Sequence, residues 1–187
     1  TPRHPSLLDA HRSALAVIDL QDRFRDAIPD FAPVVARTEI LTRAAARLGV
    51  PVLASEQYPR GLGPTVPDLA AALPPDTPIH EKLCFSACDL PAWTAALRAT
   101  RRNQVILCGV ESHVCVLQTA LDLAADDVSV YVVEDATSSR RAADRRAALR
   151  RLESHGIQIV TSEMVVFEWL RRAGTDEFRD LRDWLKG

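Results

Sequence analysis

Short apolar runs recur along the chain, each closed by a polar residue or a glycine. Residues 14–18 (Ala-Leu-Ala-Val-Ile) end at Asp19, 50–54 at Ser55, 104–108 at Gly109, 128–133 at Glu134-Asp135, and 157–160 at Thr161. They are rich in β-branched residues and mostly lack strict alternation, as strands buried on both faces do. Residues 78–82 form a weaker sixth candidate. The segments between them have helical spacing. Residues 33–48 carry Val34, Ile40, Leu41, Ala44 and Leu48, with Gly49 as a stop. Residues 91–99 open on a proline. Residues 112–125 are apolar on nearly every side, so that helix is expected to be buried, a subunit contact being one way to bury it. Helices are also expected over 141–154, 162–172 and from Asp176, the last carrying Phe178, Leu181 and Leu185. Residues 57–78 are polar and hold six prolines, which leaves room only for a short helical turn at 69–73. Strand then helix, repeated, predicts an α/β fold: a mostly parallel sheet of six strands with helices on both faces, in the Rossmann-like manner.

Composition narrows the choice. The 187 residues suit one domain spanning 1–187, and 47% hydrophobic with 26% charged residues excludes wholesale disorder. A net charge of −2 argues against a nucleic-acid partner. No apolar run approaches the ~18 residues that cross a bilayer, so no membrane partner is expected. Residues 1–13 lack the apolar core of a signal peptide, so a cytoplasmic location is expected, with the four cysteines as free thiols. Of the 23 basic residues only Lys82 and Lys186 are lysines, which makes the internal one conspicuous.

In such a sheet the ligand site lies beyond the carboxyl ends of the strands. Three reactive residues fall there: Asp19, Lys82 and Cys115. With Ser112 as a helix cap, Cys115 lies in a first turn, where backbone amides, the helix dipole and a nearby ammonium favour the thiolate. Asp19 then accepts the thiol proton and later delivers it to a leaving group. Taken singly, each also has a structural reading: a turn residue, a surface charge and a small core side chain. Other patterns are weaker. Cys84 and Cys88, with His80 four residues before Cys84, lack a second paired motif for zinc, though a redox role for the cysteines stays open. Cys108 belongs in a strand. Gly61-Leu-Gly63 opens no dinucleotide-binding helix. Arg140, Arg141, Arg145, Arg146, Arg150 and Arg151 form a solvated face or touch phosphate. His113 either orients substrate or is a loop residue.

Three blocks, Val17-Ile-Asp19-Leu-Gln-Asp-Arg-Phe24, Glu81-Lys82 with Phe85-Ser86, and Gly109-Val-Glu-Ser-His-Val-Cys115, resemble those of the isochorismatase-like cysteine hydrolases. Glu56-Gln-Tyr-Pro-Arg-Gly-Leu-Gly-Pro-Thr65 and Val116-Leu-Gln-Thr-Ala-Leu-Asp122 are similar to the isochorismatase domain-containing branch, and the likeness runs from about Leu15 to Leu181. The resemblance implies a three-layer α/β/α fold and an Asp19–Lys82–Cys115 triad. It also implies a cis peptide at Val110–Glu111, with amides near Glu111 and Cys115 forming an oxyanion hole. Gln21, Phe24, Tyr58 and His113 are candidate pocket residues. A cysteine makes hydrolysis of a small amide or ester through a thioester at least as plausible as vinyl-ether cleavage. Residues 20–24 and 55–63 lack the histidines of the nicotinamidase branch, so no metal and no cofactor are expected. A homo-oligomer, dimer or tetramer, is expected from the apolar helix after Cys115 and the Trp169 and Trp184 segments. A catalytically silent scaffold of the same fold is the rival reading.

Overall fold

The computed structural model describes residues 3–126 and 128–185, so Lys186 lies outside it. Six strands form one sheet: β1 (Ser13–Ile18), β2 (Val52–Gln57), β3 (Ile79–Lys82), β4 (Gln104–Val110), β5 (Ser129–Ser138) and β6 (Gln158–Val160). Their order is β3-β2-β1-β4-β5-β6, and every neighbouring pair is parallel. The helices are α1 (Phe31–Leu48), α2 (Pro59–Leu62), α3 (Pro67–Ala72), α4 (Pro91–Ala99), α5 (Leu117–Ala125), α6 (Ala142–Ser154), α7 (Ser162–Leu170) and α8 (Asp176–Arg182). Leu15 and Val17 of β1 pack with α1, α3, α7 and α8 on one face of the sheet. Ala14, Ala16 and Ile18 pack with α4, α5 and α6 on the other. Both faces are therefore covered, the condition under which an all-parallel sheet is stable. This is the expected three-layer α/β/α architecture. Among the described residues, no helix is long and apolar enough to cross a membrane.

The differences from expectation have local causes. Strand β2 runs three residues past the apolar stretch, because Ser55, Glu56 and Gln57 each find a polar partner. Strand β5 continues through Glu134-Asp135 after a register shift opposite residues 107–109 of β4, and pairs Thr137 with Gly109. Helix α7 stops at Leu170, where Arg171 turns left-handed at φ 65°. Trp169 is buried and donates to Ser13 Oγ at 2.9 Å, so it belongs to the core rather than to an exposed contact face. Trp184 is 42% exposed and lies under the Arg43 guanidinium.

Asp135 explains its own polar position: Oδ1 accepts Ser162 N–H at 2.7 Å and Oδ2 accepts the Ser162 hydroxyl at 2.5 Å, which ties β5 to the start of α7. Asp135→Ala orphans both donors and is expected to cost about 1–2 kcal/mol in chemical denaturation. Unchanged stability would show that Thr161, whose Oγ1 accepts Met164 N–H at 3.3 Å, starts the helix alone.

Candidate active site

The strand order reverses between β1 and β4, which opens a crevice beyond their carboxyl ends. Asp19 leaves β1 into this crevice with φ 53°, a left-handed conformation that aspartate tolerates better than most residues. Its Oδ2 accepts Lys82 Nζ–H at 2.8 Å, and its Oδ1 accepts the Ser55 hydroxyl at 2.8 Å. Both side chains of the Asp19–Lys82 pair are essentially closed to solvent, at 1% and 0% exposure. Lys82 Nζ also donates to Gln57 Oε1 at 2.7 Å, Phe85 O at 3.1 Å and Cys84 O at 3.3 Å. A buried ion pair needs such extra bonds to offset the loss of water around both charges.

Cys115 reaches this pair through Gln57, whose Oε1 meets both Lys82 Nζ and the thiol. It sits in a π-helical turn, Ser112–Val116, that precedes α5. Ser112 does not cap the turn, because its hydroxyl is hydrogen-bonded to Thr137 Oγ1 at 3.0 Å. The Sγ lies 3.9 Å from Gln57 Oε1, the same oxygen that accepts Lys82 Nζ–H, and the charges of Asp19 and Lys82 both act on the thiol. Burial, followed by the Asp19 carboxylate, pushes the thiol up to about 12, and Lys82 opposes this without reversing it. The expected resting thiolate is therefore corrected to a resting thiol. Removing solvent and facing a carboxylate outweigh one ammonium that is already paired.

The loop ahead of the thiol is fixed from two sides. Gly109 takes φ +116°, and a Cβ there would lie 2.0 Å from Ile18 O, so β4 meets β1 more closely than any side chain allows. The Val110–Glu111 peptide is cis. Glu111 is buried, and its Oε2 accepts Arg140 N–H at 2.9 Å and Nε–H at 3.0 Å. This clamps the loop to the segment that enters α6.

A cavity of about 340 Å³ opens onto Cys115. Gln57, Glu111 and Cys115 line it together with the apolar Phe24, Leu62, Phe85 and Val114, and Arg23 and Arg140 also border it. Of the candidate pocket residues, Phe24 lines it. Gln21 does not: its amide is fully buried, donating to Gln57 O at 3.0 Å and Gly63 O at 2.7 Å and accepting Gln57 N–H at 2.7 Å. Tyr58 is half exposed and covers Gly61 instead. His113 faces a neighbouring cavity with Arg140, Arg141 and Asp144, and its Nδ1 is 3.0 Å from Ser139 Oγ. Gln57 was missed by sequence reasoning, although the rule that found Asp19 also finds Gln57 once β2 is seen to end there. Among the described residues no His, Cys, Asp and Glu cluster has the arrangement of a metal site. All four cysteines are free thiols; Cys108 is a core residue, and burial pushes the Cys88 thiol up to about 12.

Residues 13–164 match the family model described as the isochorismatase domain. The chain belongs to the isochorismatase family. Isochorismatase domain-containing protein 2A of Mus musculus is 40% identical over 175 residues, covering 93% of this chain and 82% of that one. The solved structure titled MAR1 ribonuclease, from Caenorhabditis elegans, superposes with a TM-score of 0.92 at 37% identity, covering 96% of this chain and 92% of that one. The YcaC gene product of Escherichia coli, titled an octameric hydrolase of unknown specificity, superposes with a TM-score of 0.86 at 26% identity, covering 100% and 97%.

Proposed function

We propose that the protein is a metal-independent hydrolase of a small amide or ester, with Cys115 as nucleophile. The observation that carries this reading is a free thiol lining a small cavity and joined through Gln57 Oε1 to a buried Asp19–Lys82 pair. As the carbonyl carbon approaches, Asp19 takes the Sγ proton and the sulfur forms a bond to that carbon. Backbone amides at Glu111 and Cys115 hold the oxyanion. Asp19 returns the proton to the departing amine or alcohol, leaving an S-acyl enzyme. Water then adds to the thioester, Asp19 relays its proton to sulfur, and the carboxylic acid leaves. Lys82 holds the Asp19 carboxylate in place through their ion pair.

Vinyl-ether cleavage is the alternative chemistry in the same cavity. The ribonuclease title of the nematode structure makes RNA a further substrate to screen, although the net charge of −2 offers little to a polyanion. Assembly into a homo-oligomer is proposed by analogy with the octameric hydrolase.

Incubation with activated aryl esters, followed by mass spectrometry, tests the reading. A hydroxylamine-labile acyl group on Cys115, absent in Cys115→Ala, is expected; its absence with every ester in folded protein rejects the mechanism. A companion measurement concerns the resting thiol. Because its pKa is about 12, alkylation of Cys115 by iodoacetamide is expected to be slow at pH 7 and to rise about tenfold per pH unit, without a plateau below that value. A plateau near neutrality would mean that the resting sulfur is a thiolate.

A further inference from the structure

The charges around the cavity are unevenly partnered. The buried pair behind it is matched, Asp19 by Lys82, and Glu111 in its lining is matched by Arg140. The rest of the lining is not balanced. Among the described residues the Arg23 guanidinium has no hydrogen-bond or ion-pair partner, although neighbouring Arg25 has Asp22. Arg140 spends only its Nε on Glu111, and its two terminal nitrogens carry no bond among the described residues. The charged residues lining the cavity are thus Arg23, Arg140 and Glu111, a surplus of one positive charge. The same cavity is lined by the apolar side chains of Phe24, Leu62, Phe85 and Val114. A guanidinium is a planar fork of donors suited to a carboxylate, and it binds best where apolar walls exclude water.

We propose that the substrate carries one carboxylate on a small apolar body, and that Arg23 and Arg140 hold that carboxylate while the scissile carbonyl reaches Cys115. This rests on the hydrolase reading above and adds the charge of the substrate. Arg23 contributes an uncommitted positive group. Arg140 contributes the free face of a side chain whose other edge fixes the loop before the thiol.

The test uses three aryl acetates that differ only at the para position: carboxylate, carboxamide and trimethylammonium. Each kcat/KM is divided by the ester's own alkaline hydrolysis rate to remove leaving-group effects. The carboxylate is expected to exceed the carboxamide by about 10-fold or more and the ammonium by more still, with the preference shrinking as salt is added. In Arg23→Gln the carboxylate-to-carboxamide ratio is expected to fall to within about 3-fold of unity. Arg140→Gln also releases Glu111, so Arg23→Gln is the deciding variant. Equal turnover of carboxylate and carboxamide by the unmodified protein, or a ratio unchanged in Arg23→Gln, overturns this assignment and leaves the hydrolase standing. Failure of all three esters to acylate Cys115 removes the hydrolase reading itself, and this proposal with it.

Discussion

Lys82→Met is expected to destabilise the fold by about 3–5 kcal/mol and to lower kcat/KM for any cleaved ester by at least about 100-fold. Methionine fills much of the lysine's volume, so packing is nearly preserved and the loss is electrostatic. What remains is a carboxylate at 1% exposure with no counter-charge and, among the described residues, the Ser55 hydroxyl as its side-chain donor. The unpaired buried charge costs stability, and the lost anchor costs the alignment of Asp19 with sulfur. A second variant separates the two losses. Asp19→Asn with Lys82→Met removes both charges and keeps an oxygen for the Ser55 hydroxyl, so most of the stability is expected to return while acylation of Cys115 stays absent. Denaturant titration of the single and double variants measures the first effect, and mass spectrometry of the acyl enzyme the second. A double variant no more stable than Lys82→Met would locate the loss in packing instead.

Gly109→Ala is expected to be the more destructive change, costing more than about 4 kcal/mol or preventing soluble expression. The added carbon would approach Ile18 O, C and N at 2.0, 2.7 and 2.8 Å, all backbone atoms of the central strand. No side-chain rotation relieves that contact, and φ +116° is closed to alanine in any case. Gly49→Ala is the control. It also has positive φ, at +67°, but nothing lies within 4 Å of the added carbon, so a loss of about 1–2 kcal/mol is expected. Equal denaturation midpoints for the two variants would mean that the β1–β4 approach carries no special cost.

Much of the frame was legible because burial leaves a local mark. The apolar stretch 14–18 and the proline-led helix Pro91–Ala99 appear in the structure nearly where their patterns place them. Strand ends were harder. A strand that continues through Ser55, Glu56 and Gln57 looks finished in one dimension, because the partners that accept those side chains lie elsewhere in the chain. Gln57 was lost for that reason, and with it the residue that touches both Lys82 and the thiol. The placing of Asp19, Lys82 and Cys115 beyond the strand ends followed from strand–helix alternation. The sign of the thiol's perturbation did not. A lysine and a helix start beside a cysteine argue for a thiolate, but the outcome turns on how much water the fold removes, which spacing does not encode. Gln21 and Tyr58 show the same limit: each sits in the right segment and turns its side chain to a neighbouring loop.

An ammonium group has three hydrogens, and Lys82 Nζ faces four oxygens, those of Asp19, Gln57, Cys84 and Phe85. No hydrogen is left over for a visiting molecule. In the proposed mechanism the amine is therefore a fixed counter-ion for Asp19 rather than an acid.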